Sequence, residues 1–100
     1  LRIISFISNQ LESISSNLFN QCKKLTSISF GQNRLTILDK STFKDLNELE
    51  SLYLYNNELK NLDSELFDDL SNLKILELSY NSLNNLDANL FKNILNINSI

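Results

Sequence analysis

One hundred residues, 42% of them hydrophobic, make a chain the size of one small domain with ample apolar material for a core. A net charge of −3 with scattered Lys and Arg lacks the basic stripe of a nucleic-acid binder, and the absence of His removes the usual neutral-pH base and the commonest metal ligand. One Cys cannot close an internal disulfide or a multi-thiolate zinc site, one Gly and no Pro leave no phosphate-cradling loop, and no apolar run approaches the ~20 residues of a membrane span.

In chain order, the first stretch sets apolar residues at spacings of three and two: Leu1, Ile4 and Phe6. Asn9, Leu11, Ile14, Ser15, Phe19 and Cys22 follow. The series then returns as Leu25, Ile28, Phe30, Asn33, Leu35, Leu38, Asp39, Phe43 and Leu46. A third pass runs Leu49, Leu52, Leu54, Asn57, Leu59, Leu62, Asp63, Phe67 and Leu70, and a fourth Leu73, Leu76, Leu78, Asn81, Leu83, Leu86, Asp87, Phe91 and Ile94. Every position recurs without insertion, so the chain divides into repeats 1–24, 25–48, 49–72 and 73–96, with a fifth opening at 97–100 on Ile97 and Ile100.

Each repeat implies the same coil. The alternation around Leu52-Tyr53-Leu54 is a strand pattern. One such strand cannot bury its inner face alone, but strands stacked in parallel at about 4.8 Å merge their Leu columns into a core. Asn9, Asn33, Asn57 and Asn81 stand where the strand must end. An amide both donates and accepts, so this column is expected to satisfy inward-facing backbone groups of its own coil and the next. Ser15, Asp39, Asp63 and Asp87 are placed to cap a short helical turn. Four residues later Phe19, Phe43, Phe67 and Phe91 are expected to form a stacked aromatic spine. Cys22, in a column otherwise Leu, Leu and Ile, reads as a small buried hydrophobe. Lys23, Lys24, Asp68 and Asp69 read as a solvated outer face of the return arms.

These rows resemble the leucine-rich-repeat motif LxxLxLxxNxLxxLxxxxFxxLxx of the twenty-four-residue class found in Toll-like receptors, lamprey variable lymphocyte receptors, small proteoglycans and insect extracellular recognition proteins. Leu49, Leu52, Leu54, Asn57, Leu59, Leu62, Phe67 and Leu70 match every defining position. The resemblance implies an α/β fold: a right-handed solenoid arc, with short parallel strands on its concave side and irregular or short helical turns on its convex side. Phe19 to Leu25 also resembles the FxxCxxL segment of a microbial surface-protein class, from which the asparagine column is expected to set the chain apart. The family's cysteine-rich caps are absent. Leu1 opens directly on a strand and Ile100 stops within one, so the array is expected to be an internal piece of a longer ectodomain.

A ligand would meet the outward strand positions. In the first two repeats these are small and bland: Arg2, Ile3, Ser5, Ile7 and Ser8, then Thr26, Ser27, Ser29, Gly31 and Gln32. The later repeats offer Glu50, Ser51, Tyr53, Tyr55 and Asn56, then Lys74, Ile75, Glu77, Ser79 and Tyr80, which hold all three tyrosines of the chain. Tyrosine combines large contact area with a polar tip and low entropic cost. Tyr53, Tyr55, Ile75, Glu77 and Tyr80 are therefore the candidate ligand-binding residues, although tyrosine also suits an exposed strand position for packing reasons alone.

No catalytic residue, cofactor or metal is expected, since isolated carboxylates on an open sheet form no dry pocket for converging acid and base. The reading is a non-catalytic protein-binding module of an extracellular or cell-surface recognition protein, of the innate-immune receptor or secreted type. Nucleic acid and direct membrane contact are not expected of this segment. A structural or scaffolding role, in matrix assembly or as a cytoplasmic adaptor, is the alternative, and a homodimer through the same face belongs with it. Against glycosylated ectodomains, no Asn here begins an N-x-Ser/Thr acceptor.

Overall fold

The structure, a computed structural model, describes residues 2–84 and 86–94. Leu1 of the first column and the opening of the fifth repeat, with Ile97 and Ile100, lie outside the described residues. Four three-residue strands, β1 (Ile3–Ser5), β2 (Ser27–Ser29), β3 (Ser51–Tyr53) and β4 (Ile75–Glu77), start once per repeat. They form one parallel sheet in the order β1-β2-β3-β4, and each repeat pairs with the next without slippage: Ile4 faces Ile28, Ile28 faces Leu52, and Leu52 faces Leu76. The chain is a leucine-rich-repeat solenoid.

The inward columns explain why so short a strand persists. Leu25, Leu49 and Leu73, Ile28, Leu52 and Leu76, and Leu35 and Leu59 are all fully buried in one continuous core. Burying a side chain of this kind contributes roughly 1.5–3 kcal/mol relative to exposure, and no coil could collect that alone. The aromatic spine lies in register. Phe19, Phe43, Phe67 and Phe91 stack with centroid separations of 6.2, 6.5 and 6.4 Å and interplanar angles of 20° to 22°. A second stack, Phe6 on Phe30 at 5.0 Å, fills the strand side of the first two coils, and Phe30 meets Phe19 edge-on.

The return arms are turns. Each begins with the same reverse turn, in which Leu18, Thr42, Leu66 and Leu90 donate to the carbonyls of Ser15, Asp39, Asp63 and Asp87. The Asp39, Asp63 and Asp87 carboxylates accept the N–H two residues on at 2.7–2.8 Å, and Ser15 Oγ accepts from Asn17 at 3.3 Å. Among the described residues only Ala88–Phe91 completes a 3₁₀ helix, with Asp87 as its N-cap.

At three places the structure differs from what the sequence predicts. Leu86, placed in the core column with Leu38 and Leu62, is 39% exposed. Cys22 is packed against the core but only half-buried. The return-arm charges are not simply solvated. The half-buried Asp69 carboxylate accepts the Asp45 N–H at 2.8 Å, and the half-buried Lys23 ammonium donates to the Lys44 carbonyl at 3.1 Å, so both stitch one coil to the next.

Candidate functional site

Strand ends create the site. Past each strand the parallel hydrogen bonding continues for several residues: Phe6, Phe30 and Leu54 donate to Ser29, Tyr53 and Glu77, and Ser8, Gln32 and Asn56 donate to Gly31, Tyr55 and Ser79, all at 2.8–3.0 Å. The chain must then turn inward. It does so through a left-handed residue at one position of every repeat: Ser8 at φ 62°, Gln32 at 60°, Asn56 at 54° and Tyr80 at 57°. The next residue is the asparagine, which the turn swings under the sheet.

Asn57 shows what that placement achieves. Its amide nitrogen donates to the carbonyls of Leu54 and Tyr55 in its own coil and of Phe30 in the coil before, at 3.0–3.1 Å. Its amide oxygen accepts the Leu35 N–H at 3.0 Å. Asn33 does the same with Phe30, Gly31, Phe6 and Leu11, and Asn81 with Leu78, Ser79, Leu54 and Leu59. Asn9, in the first coil, donates to Phe6 and Ile7. The amides of Asn33, Asn57 and Asn81 thus reach the preceding coil and not, as the sequence predicts, the following one. Phe30 and Leu54 carbonyls each accept from two asparagines, one in their own coil and one in the next, and so tie two coils together.

On the other side of the sheet the five candidate residues come together. Tyr53, Tyr55, Ile75, Glu77 and Tyr80, with Asn56 and Ser79, line one open depression of about 480 Å³. Glu77 is the direct cross-strand partner of Tyr53, and Ile75 of Ser51. Tyr53, Tyr55, Ile75 and Glu77 are half-buried, whereas Tyr80 is 79% exposed. A tyrosine held at positive φ with almost no burial in return is an unfavourable arrangement for folding, of order 1 kcal/mol or more. The depression contains no Lys or Arg. Nearby Lys74 pairs with Glu50, at 3.7 Å between two exposed side chains.

The bland half of the face is less open than the sequence implies. Ser29, flanked across the ladder by Ser5 and Tyr53, is buried, and so is Gly31. A Cβ added to Gly31 would lie 2.7 Å from Cε2 of Tyr55 and closer still to Cζ, so the ring occupies the space a side chain would need. The φ of Gly31 is not positive. This glycine serves close approach, not turn geometry. Sequence reasoning missed its role, although the chain's only glycine stands one repeat before Tyr55 in the same column.

No curated protein matches the chain. Among solved structures, a chain in the Toll–Spatzle complex, which is described as a molecular hub in Drosophila development and innate immunity, superposes with a TM-score of 0.96 and 32% identity. The match covers all of this chain and 13% of that one. A family model also matches, over residues 2–100: that of the BspA type leucine-rich repeat region, in 6 copies. The asparagine column therefore does not set the chain apart from the microbial surface-protein class suggested by Phe19 to Leu25; in this chain it satisfies backbone groups at the turn. With the repeat geometry and this match in agreement over nearly its whole length, the chain belongs to the BspA type leucine-rich-repeat family.

Proposed function

We propose that this chain is a non-catalytic protein-binding module of an extracellular or cell-surface recognition protein, of the innate-immune receptor or secreted type, and that it engages its partner with the strand face at Tyr53, Tyr55, Ile75, Glu77 and Tyr80. The observation that carries the proposal is the convergence of these five residues, drawn from two repeats, on one aromatic depression. The exposed, left-handed Tyr80 adds to it, because its conformation disfavours folding and its ring gains little by burial within the chain. Likeness to a chain of the Toll–Spatzle complex supports recognition of a protein outside the cell, for a chain that spans a small part of that relative. No helix among the described residues is long and apolar enough to cross a membrane.

The test is a comparison of the chain with its Tyr53→Ala/Tyr55→Ala double variant, each immobilised and exposed to secreted and cell-surface proteins. Partners held by the original chain should bind the variant at least tenfold more weakly, since central aromatic anchors contribute about 2 kcal/mol or more each. Equal capture by a variant that unfolds at the same urea concentration would remove this face from consideration.

A further inference from the structure

We infer that the depression at Tyr53, Tyr55, Glu77 and Tyr80 receives an arginine side chain of the protein partner; the inference rests on the proposal above and names what that surface recognises. Three tyrosines and one carboxylate from two adjacent coils line a single open depression. Glu77 stands directly across the ladder from Tyr53, is half-buried, and lines the depression together with the three tyrosines. Glu77 has an interaction of its own within the chain, but a carboxylate carries about four acceptor positions and keeps capacity for a second donor.

Charge decides the class of occupant. No Lys or Arg is among the residues that line the depression, Lys74 pairs with Glu50, and the chain as a whole carries −3. A neutral apolar group entering here would cover the Glu77 carboxylate without replacing its water, which is costly. A cation replaces that water with an ion pair and is attracted to the electron-rich ring faces. Between the two basic side chains, the planar guanidinium both stacks on an aromatic ring and pairs with a carboxylate through two parallel hydrogen bonds, whereas an ammonium is a compact, strongly hydrated point charge. The occupant that uses rings and carboxylate together is arginine.

The probes are N-acetyl-arginine amide and its neutral isostere N-acetyl-citrulline amide, titrated into the full chain while the ring resonances of Tyr53, Tyr55 and Tyr80 are followed by NMR. Arginine amide should shift all three rings saturably and bind about tenfold more tightly than the citrulline compound, with the preference weakened by added salt. In Glu77→Gln, with an unchanged urea midpoint, that preference should vanish. Equal response to the two compounds, or shifts confined to residues away from the tyrosines, would overturn the inference. Selection of random displayed peptides on the same chain separates this from failure of the underlying proposal. Peptides that lose binding to Tyr53→Ala/Tyr55→Ala but contain no arginine would leave the proposal standing and defeat the inference. Peptides that ignore this face altogether would defeat both.

Discussion

Asn57→Ala isolates the contact on which the stacking of coils turns. The substitution removes four hydrogen bonds, but they are not equivalent. Each carbonyl that Asn57 serves keeps another donor: Phe30 has Asn33, Leu54 has Asn81, and Tyr55 has the Gln32 N–H. The Leu35 N–H loses the acceptor it had, in a residue with 0% exposure. One stranded buried donor costs about 1–3 kcal/mol, and the weakened carbonyls with the small void add about 1 kcal/mol. A loss of about 2–4 kcal/mol is therefore expected, against a total stability of about 5–15 kcal/mol for a domain of this size. Asn9→Ala, at an exposed site with two bonds inside its own coil, should lose less than about 1 kcal/mol.

Asn57→Asp refines the argument. The aspartate still accepts from Leu35, but its second oxygen faces three carbonyls and has nothing to donate, so at neutral pH this variant should be at least as unstable as Asn57→Ala. Burial and the facing carbonyls would raise the folded-state pKa of that carboxyl above the unfolded value near ~3.9. A raised folded pKa gives stability that is fully present below the unfolded pKa and lost as pH rises through the folded one. Asn57→Asp should therefore recover toward the original chain on acidification, while Asn57→Ala should show no such relative recovery. Urea unfolding at neutral pH and near pH 4 is the assay. An Asn57→Ala variant within 1 kcal/mol of the original chain, or an aspartate variant more stable than the alanine one at pH 7, would refute the assignment.

Gly31→Ala should leave stability nearly unchanged but reorient Tyr55. The clash falls on the far end of a ring that can swing outward, and the change removes unfolded-state freedom worth about 0.4–1 kcal/mol. Displaced Tyr55 ring resonances with a melting temperature within a few degrees of the original would bear this out, and an unmoved ring would contradict it. Tyr80→Asn should stabilise the chain by about 1 kcal/mol, because asparagine accepts the left-handed backbone and the tyrosine forfeits little burial. Partner binding should fall at the same time, and a lower urea midpoint would show that Tyr80 contributes to folding after all.

The repeating features of this protein are those its sequence determined unaided. Leu52, Asn57 and Phe67 each belong to a column of like residues, and a column has one physical meaning when every coil is bounded by copies of itself. Period, parallel register and the stacked phenylalanines follow from that. The candidate face was legible for the same reason, since outward positions are counted from the inward ones.

What only the tertiary structure decided are the contacts in which neighbouring coils differ. Ser8, Gln32, Asn56 and Tyr80 differ widely in size and shape, yet all adopt the left-handed turn; at Ser8, Gln32 and Asn56 the backbone pairs its N–H with the next coil and still carries the asparagine inward. The amides of Asn33, Asn57 and Asn81 reach toward the preceding coil, a direction no column of identical residues can reveal. Gly31 acquires its role only when the ring of Tyr55 is laid upon it. The depression likewise arises where Tyr53, Glu77 and Tyr80 meet across two strands. A repeat specifies how coils stack; the side chains that break the repeat acquire their meaning from the coil beside them.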